Sequence, residues 1–148
     1  MRSKKYLQFS QELAKARQQS GVSQKAAALS LGIDQSYLCA LEKGRRAVPG
    51  DELIRRIALV LRSDPSALER LLWAAAHDRA MGPIVADARV QAAAEIVSAA
   101  LLAASDLSGE ELQGLADYVT ATHAAKKRLL ALVQRPSVVT REEEALMK

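Results

Sequence analysis

The sequence predicts an all-α fold, and three of its features carry that prediction. Alanine, the strongest helix former, is abundant, whereas aromatic residues make up only 3% of the 148 residues. Apolar residues recur at the three- and four-residue spacing of amphipathic helices. Residues that begin or end helices, chiefly Ser, Asp and Gly, stand between these periodic segments. With 49% hydrophobic and 26% charged residues, the composition is that of a globular chain.

Positive charge is concentrated in the first part of the chain. Residues 1–64 hold twelve Lys and Arg against six Asp and Glu, whereas residues 65–148 hold nine against eleven. A basic front half is typical of proteins that bind phosphate groups.

The single cysteine excludes an intramolecular disulfide, and the sequence shows neither an apolar run of membrane-spanning length nor a signal peptide. We therefore expect a cytoplasmic protein, in the nucleoid if the source is bacterial, with no membrane partner.

The first helix is predicted from Tyr6 to Ser20, with Phe9 and Leu13 on its buried side. Residues 1–5 form a basic arm that either frays or adds a DNA contact. Gly21 ends the helix, because glycine tolerates the left-handed conformation found after many helices.

Two short helices joined by a tight turn are predicted between Ser23 and Arg46. Ser23 is suited to cap the first helix, because its hydroxyl accepts a hydrogen bond from an unpaired amide. Gly32 follows the last apolar residue of that helix, and Asp34 is predicted to cap the second one. Two helices joined through a short glycine-containing turn form the helix-turn-helix, whose second helix lies in the DNA major groove.

A fourth helix is predicted after Pro49 and Gly50, with Asp51 as its cap and an apolar stripe from Leu53 to Leu61. A fifth helix follows Ser63 or Asp64, and Pro65 stands near its first position, where a missing amide hydrogen does no harm. These five helices make up a predicted domain of residues 1–76.

The alanine-rich rear of the chain is predicted to form a helical hairpin over residues 77–136, followed by a tail over 137–148. His77 to Pro83 is interpreted as a connector, because Gly82-Pro83 is the strongest break in the sequence. One helix is expected from Pro83 to about Ala104. A second is expected from Gly109 to Val133, behind a capping box of Ser108 and Glu111.

A two-helix hairpin has little capacity to bury its own apolar surface. We therefore expect this region to join two copies of the chain into a homodimer. The alternative is a monomer whose rear helices extend the first core.

The front half resembles the Xre/Cro-type helix-turn-helix family, which includes the lambdoid phage repressors. The resemblance runs from about Phe9 to about Leu72, and its residues are Ser23, Gln24, Ala28, Gly32, Ile33, Leu38, Leu41, Glu42, Gly44 and Arg45. It implies a five-helix, lambda-repressor-like DNA-binding domain of a transcriptional regulator that usually acts as a dimer. It also implies an internal salt bridge between Arg17 and Glu42, which orients the second DNA-facing helix.

The resemblance and the physics of the motif together predict two sets of DNA contacts. Base contacts are expected from Gln35, Ser36, Tyr37 and Ala40, with Gln35 suited to a bidentate pair with adenine. Phosphate contacts, which supply affinity without sequence information, are expected from Ser23, Gln24, Lys25, Lys43, Arg45 and Arg46. Two alternatives stay open, namely that Gln24 only supports the cap and that the basic residues form a solvated loop.

We expect a sequence-specific regulator of double-stranded DNA, a dimeric repressor of an inverted-repeat operator in preference to an activator. The phage, antitoxin and restriction-controller types are not distinguished. One alternative is a protein-interaction adaptor that has lost DNA binding, and a remote one is a cyanase-like enzyme.

We expect no catalytic residues, no cofactor and no small-molecule ligand. We also expect no metal site, because His77 and His123 lack a neighbouring cluster at ligand spacing. Cys39 is interpreted as a small filler in preference to a redox switch.

Overall fold

The computed structural model describes residues 6–134. Over that range the chain forms seven α-helices, one short 3₁₀ helix at Gln91–Ala93 and no strand, which confirms the predicted all-α class. The helices are α1 (Phe9–Ser20), α2 (Gln24–Leu31), α3 (Gln35–Glu42), α4 (Asp51–Val60), α5 (Pro65–Ala86), α6 (Ala94–Ala104) and α7 (Gly109–Val133). The predicted basic arm of residues 1–5 and the predicted tail of residues 137–148 lie outside the described residues.

The chain divides into two compact units, Met1–Ser105 and Asp106–Lys148. The first unit contains α1 to α6, and the second contains α7. The first unit therefore runs past the predicted domain boundary at residue 76 and includes a helix that the sequence had paired with α7. The role of residues 77–136 in joining two copies stays a prediction.

The core of the first unit is built by one apolar face from each of α1 to α5. Its largest fully buried aliphatic side chains are Leu13, Leu38, Leu41, Ile54, Ile57 and Leu71. Alanines from α2, α4 and α5 fill the spaces between them and let the helix backbones approach closely. The apolar stripes predicted for α1 and α4 thus face this core.

Most of the predicted helix ends are confirmed by their hydrogen bonds. The hydroxyl of Ser23 accepts a bond from the Ala26 amide at 3.1 Å, and the carboxylate of Asp64 accepts one from Ala67 at 2.8 Å. Ser108 and Glu111 form the predicted reciprocal capping box at the start of α7. Gly21 adopts the left-handed conformation after α1, as expected.

Two predicted caps are wrong in detail. Asp34 occupies the N-cap position of α3, but its side chain makes no capping hydrogen bond. Asp51 is the first residue of α4, and Gly50 occupies the N-cap position. The acidic side chain still lies in the first turn of α4, where it interacts favourably with the helix dipole.

The connector predicted at His77 to Pro83 is wrong, because α5 continues through it to Ala86. Pro83 removes one backbone hydrogen bond and would cost about 3 kcal/mol in a helix interior. Here it stands in the last turn, where few bonds follow it. Met81, two residues before Pro83, is buried, so packing holds the helix together across the break.

The helix predicted from Pro83 to Ala104 is also interrupted, since residues 87–93 separate α5 from α6. The carboxylate of Asp87 accepts hydrogen bonds from the backbone amide of Arg89 at 3.0 Å and from its guanidinium at 2.7 Å. These local bonds offer the backbone a turn in place of a helix.

The isolation predicted for His77 is wrong as well. Its ring is fully buried, with Nδ1 2.9 Å from a carboxylate oxygen of Asp78 and Nε2 3.0 Å from the hydroxyl of Ser98 in α6. Asp78 also accepts hydrogen bonds from the backbone amides of Gln8 at 2.8 Å and Phe9 at 3.0 Å. This network, the His77 cluster, joins the start of α1, the middle of α5 and α6.

Candidate nucleic-acid interface

The α2–turn–α3 element is formed by local signals and held by the core beneath it. Gly32 has φ +67°, and the amides of Gly32 and Ile33 donate to carbonyls of the last turn of α2. This is the left-handed ending that glycine permits at low cost. Leu31 at the end of α2 and Leu38 in α3 are both buried, so the two helices are fixed against the same core.

The exposed edge of α3 carries the predicted base-contacting residues. Gln35 and Ser36 are exposed in its first turn, whereas Tyr37 and Ala40 are half-buried. An open groove of about 740 Å³ runs beside them, between α2 and α3. Ser36, Tyr37 and Ala40 line this groove. The structure thus brings these three residues together, with Gln35 at the adjoining end of the helix.

A partly buried ion pair joins α1 to the end of α3. The guanidinium of Arg17 in α1 donates two hydrogen bonds to the carboxylate of Glu42, at 2.5 and 3.0 Å, so the predicted salt bridge is present. The Glu42 side chain is only 6% exposed, and its hydrogen bond raises the pKa of Arg17 above the ordinary value. Removing one partner of such a pair typically costs about 3–5 kcal/mol, because the other charge is left uncompensated.

Gln24 belongs to the same network. Its Nε2 donates to Glu42 Oε2 at 2.8 Å, which ties the first turn of α2 to the end of α3. A carboxamide nitrogen carries two hydrogens, so one donor remains for a phosphate oxygen. The structure therefore assigns Gln24 a positioning bond that the sequence did not predict, and this bond is compatible with the predicted phosphate contact.

The first turn of α2 presents two further predicted phosphate ligands. Ser23 is exposed, and its hydroxyl already accepts the capping bond from Ala26, while its own hydrogen remains available to donate. Lys25 is exposed beside it. The start of a helix attracts anions through its free amides and its dipole, so these residues stand where a phosphate is favoured.

The segment after α3 carries three exposed cations. Lys43, Arg45 and Arg46 all project into solvent, and no carboxylate among residues 6–134 pairs with them. The amide of Arg45 donates to the Ala40 carbonyl at 2.8 Å, so this basic segment is fixed to the end of α3. Arg46 also lines the groove beside α3. The arrangement concentrates unneutralised positive charge next to the exposed edge of the helix.

Two arginines outside the predicted interface hold it in place. The guanidinium of Arg56 in α4 donates to the Leu31 carbonyl at 2.6 Å, at the turn between α2 and α3. Arg79 in α5 donates to the Pro49 carbonyl at 2.5 Å and to Asp51 at 2.8 Å. The sequence did not predict the Arg56 bond, because a contact with a carbonyl 25 residues earlier leaves no local signal.

Comparison with known families agrees with this geometry. Residues 8–71 match a family model described as a helix-turn-helix domain, which covers less than half of the chain. The match includes α1 to α4 and the start of α5, and it supports the helix-turn-helix class for this part of the molecule. No curated protein and no solved structure matched the chain. Within residues 6–134, none of the helices has the length and apolar character needed to cross a membrane.

Proposed function

We propose that the chain is a sequence-specific DNA-binding transcriptional regulator of the Xre/Cro type, acting in the cytoplasm as a dimeric repressor. Its double-stranded DNA target is an inverted-repeat operator. Each subunit inserts the exposed edge of α3 into a major groove, so that Gln35, Ser36, Tyr37 and Ala40 meet base edges. Repression follows because the bound dimer covers the site that polymerase needs.

The observation that carries the proposal is the pairing of two features on one surface. The exposed edge of α3 stands beside three exposed cations, Lys43, Arg45 and Arg46, which have no carboxylate partner among residues 6–134. Cations gathered on one exposed surface create a positive potential that attracts an anionic partner. Phosphates on both sides of a major groove provide that partner, while the groove accepts the helix between them.

A different arrangement in the molecule invites comparison with an enzyme. Asp78, His77 and Ser98 are linked in the order of a serine-hydrolase triad. However, His77 is completely buried, Ser98 is only 6% exposed, and the Asp78 carboxylate is engaged by two backbone amides. A nucleophile needs access to its substrate, so this burial supports a structural role for the three residues.

Selection of binding sites from a pool of random DNA duplexes tests the proposed function. The purified full chain is expected to enrich an inverted repeat whose half-sites are about 34 Å, or one helical turn, apart. Enrichment of single, unpaired half-sites would contradict the dimeric mode. A protein that binds no duplex even at low salt would instead be an adaptor that has lost DNA binding.

A further inference from the structure

Within residues 106–134, the second unit contains one long helix, α7, whose apolar face is exposed. α7 contains 25 residues, none of them buried, and therefore extends over about 37 Å. Several of its large apolar side chains are exposed, including Val119 at 58%, Leu129 at 64% and Val133 at 79%. A single helix cannot bury its own apolar stripe, so this exposure favours binding to another surface.

The apolar residues of α7 form two patches on one face of the helix. The front patch consists of Leu112, Leu115, Ala116 and Val119, and the rear patch consists of Leu129, Leu130 and Val133. Spacings of three, four and seven residues place all of them on a common stripe. Thr122, His123 and Lys126 stand between the patches on the same stripe. The helix is therefore roughly symmetric in hydrophobicity about its middle, near Thr122 and His123.

The charges of α7 are opposite in its two halves. Its first half carries Glu110, Glu111 and Asp117, whereas its second half carries Lys126, Lys127 and Arg128. Each half is thus complementary in charge to the other half of the same helix, and two copies satisfy this complementarity only when they run in opposite directions.

We propose that α7 binds the α7 of a second copy of the chain as an antiparallel pair, with the two-fold axis close to Thr122 and His123. The front patch of each helix then covers the rear patch of its partner, and the same contact occurs twice, as in other two-fold interfaces. This inference rests on the dimer of the proposed function and supplies its contact surface and direction. It differs from the predicted hairpin because α6 belongs to the first unit.

Charge selects the antiparallel direction over the parallel one. In a parallel pair Lys126 would oppose Lys126 across the apolar seam, and the acidic halves would lie side by side. In the antiparallel pair Lys126 lies near Val119 of the partner, where its aliphatic stem adds apolar contact. Exposed ion pairs contribute little affinity and are screened by salt, so burial of the two patches holds the pair together.

Cysteine cross-linking of the full chain tests the direction of the pair. The native Cys39 is first removed by the substitution Cys39→Ser. Single cysteines are then introduced into that variant as Leu115→Cys, Leu130→Cys and Thr122→Cys. Thr122→Cys, next to the axis, is expected to form a dimer of doubled mass on oxidation. Leu115→Cys and Leu130→Cys are each expected to stay monomeric on the gel when oxidised alone, and to cross-link when mixed. The matched control is Ala124→Cys, at the same height but on the opposite face, which is expected not to cross-link.

Three results would overturn the inference. Self-cross-linking of Leu115→Cys would show a parallel pair, equal cross-linking of Ala124→Cys and Thr122→Cys would show non-specific collision, and monomers throughout, confirmed by sedimentation, would show no pair. Binding of the unoxidised proteins to DNA is measured in parallel. A protein that binds an inverted repeat without any α7 cross-link refutes the antiparallel pair alone. One that forms the pair but binds no DNA refutes the proposed function alone.

Discussion

At the residue scale, two glycines with positive φ bracket α3. Gly32 precedes the helix with φ +67°, and Gly44 follows it with φ +64°. A Cβ atom at Gly32 would meet nothing within 4 Å, whereas one at Gly44 would lie 2.6 Å from a terminal methyl of Leu7. Both positions therefore favour glycine for its backbone conformation, and at Gly44 the flexible Leu7 side chain would also have to shift.

Replacing Gly32 with alanine is expected to lower the free energy of unfolding by about 1–2 kcal/mol, the cost of a left-handed backbone for a residue with a side chain. Gly44→Ala is expected to cost at least as much, because the Leu7 side chain must also move. Gly82→Ala is the control, since Gly82 lies inside α5 with open space around it. That change is expected to stabilise the protein by about 0.5–1 kcal/mol in urea unfolding. A stabilising Gly32→Ala would contradict the assigned turn.

Residue roles were predictable where a local motif or the family resemblance names the partner. The Ser23 cap follows from a local motif and the Arg17–Glu42 pair from the resemblance, and both are present. The bonds of Gln24 to Glu42 and of Arg56 to Leu31 were not predicted, because each joins residues on different helices and needs the crossing geometry of those helices. The DNA-contacting roles of the α3 residues stay predictions.

At the element scale, α5 is a helix in which tertiary packing overrides the local helix-breaking signal of the sequence. Gly82-Pro83 is a strong break in sequence, yet the helix runs from Pro65 to Ala86. Buried contacts of His77, Asp78 and Met81 hold the second half of α5. No local sequence pattern indicates these contacts. By contrast, α7 begins at the predicted residue, because the Ser108–Glu111 capping box is a strong local signal for a helix start, and it also ends at the predicted Val133.

Asp78 fixes the start of α1 from the middle of α5. Asp78→Ala would leave the amides of Gln8 and Phe9 and the ring of His77 without their acceptor. Because an unsatisfied buried group costs about 1–3 kcal/mol, we expect a loss of roughly 3 kcal/mol in the free energy of unfolding, measured with urea. Glu69→Ala, an exposed acid on the same helix, is the control and is expected to change little. Equal losses of stability from the two changes would contradict the role of Asp78 in holding the start of α1.

The start of α7 is expected to respond to acid. The backbone amide of Ser108 donates to the Glu111 carboxylate at 2.8 Å, and this bond holds the pKa of Glu111 below its ordinary range. The ionised form is thus favoured in the helix, so its stabilisation is present above the ordinary pKa and is lost as pH falls through the lowered value.

Glu111→Gln is therefore expected to reduce the loss of helicity on acidification, as followed by circular dichroism, whereas Glu110→Gln serves as the neighbouring control. Identical acid titrations of the unsubstituted chain and Glu111→Gln would show that the capping box does not contribute.

At the scale of the whole molecule, the chain has a first unit that contains the helix-turn-helix element and a second unit that contains α7, for which we propose self-association. Composition, charge asymmetry and helical period were sufficient to predict the all-α class and the position of the helix-turn-helix. They were not sufficient to place α6, because its Ser98 contact with His77 depends on a polar cluster buried between helices. The boundary between the compact units therefore falls after Ser105 and not after residue 76.

The most direct test of the central claim compares Gln35→Ala and Arg45→Ala in binding to a selected inverted repeat and to a scrambled duplex over a range of salt. Gln35→Ala is expected to lose about 1–3 kcal/mol on the selected site only, because a base contact carries sequence information. Arg45→Ala is expected to weaken binding to both duplexes and to reduce the salt slope by about one, because a phosphate contact releases a counterion. Gln18→Ala and Arg55→Ala, exposed on α1 and α4, are the controls. Equal losses on the two duplexes from both changes, or losses no larger than those of the controls, would contradict the claim that the edge of α3 reads DNA.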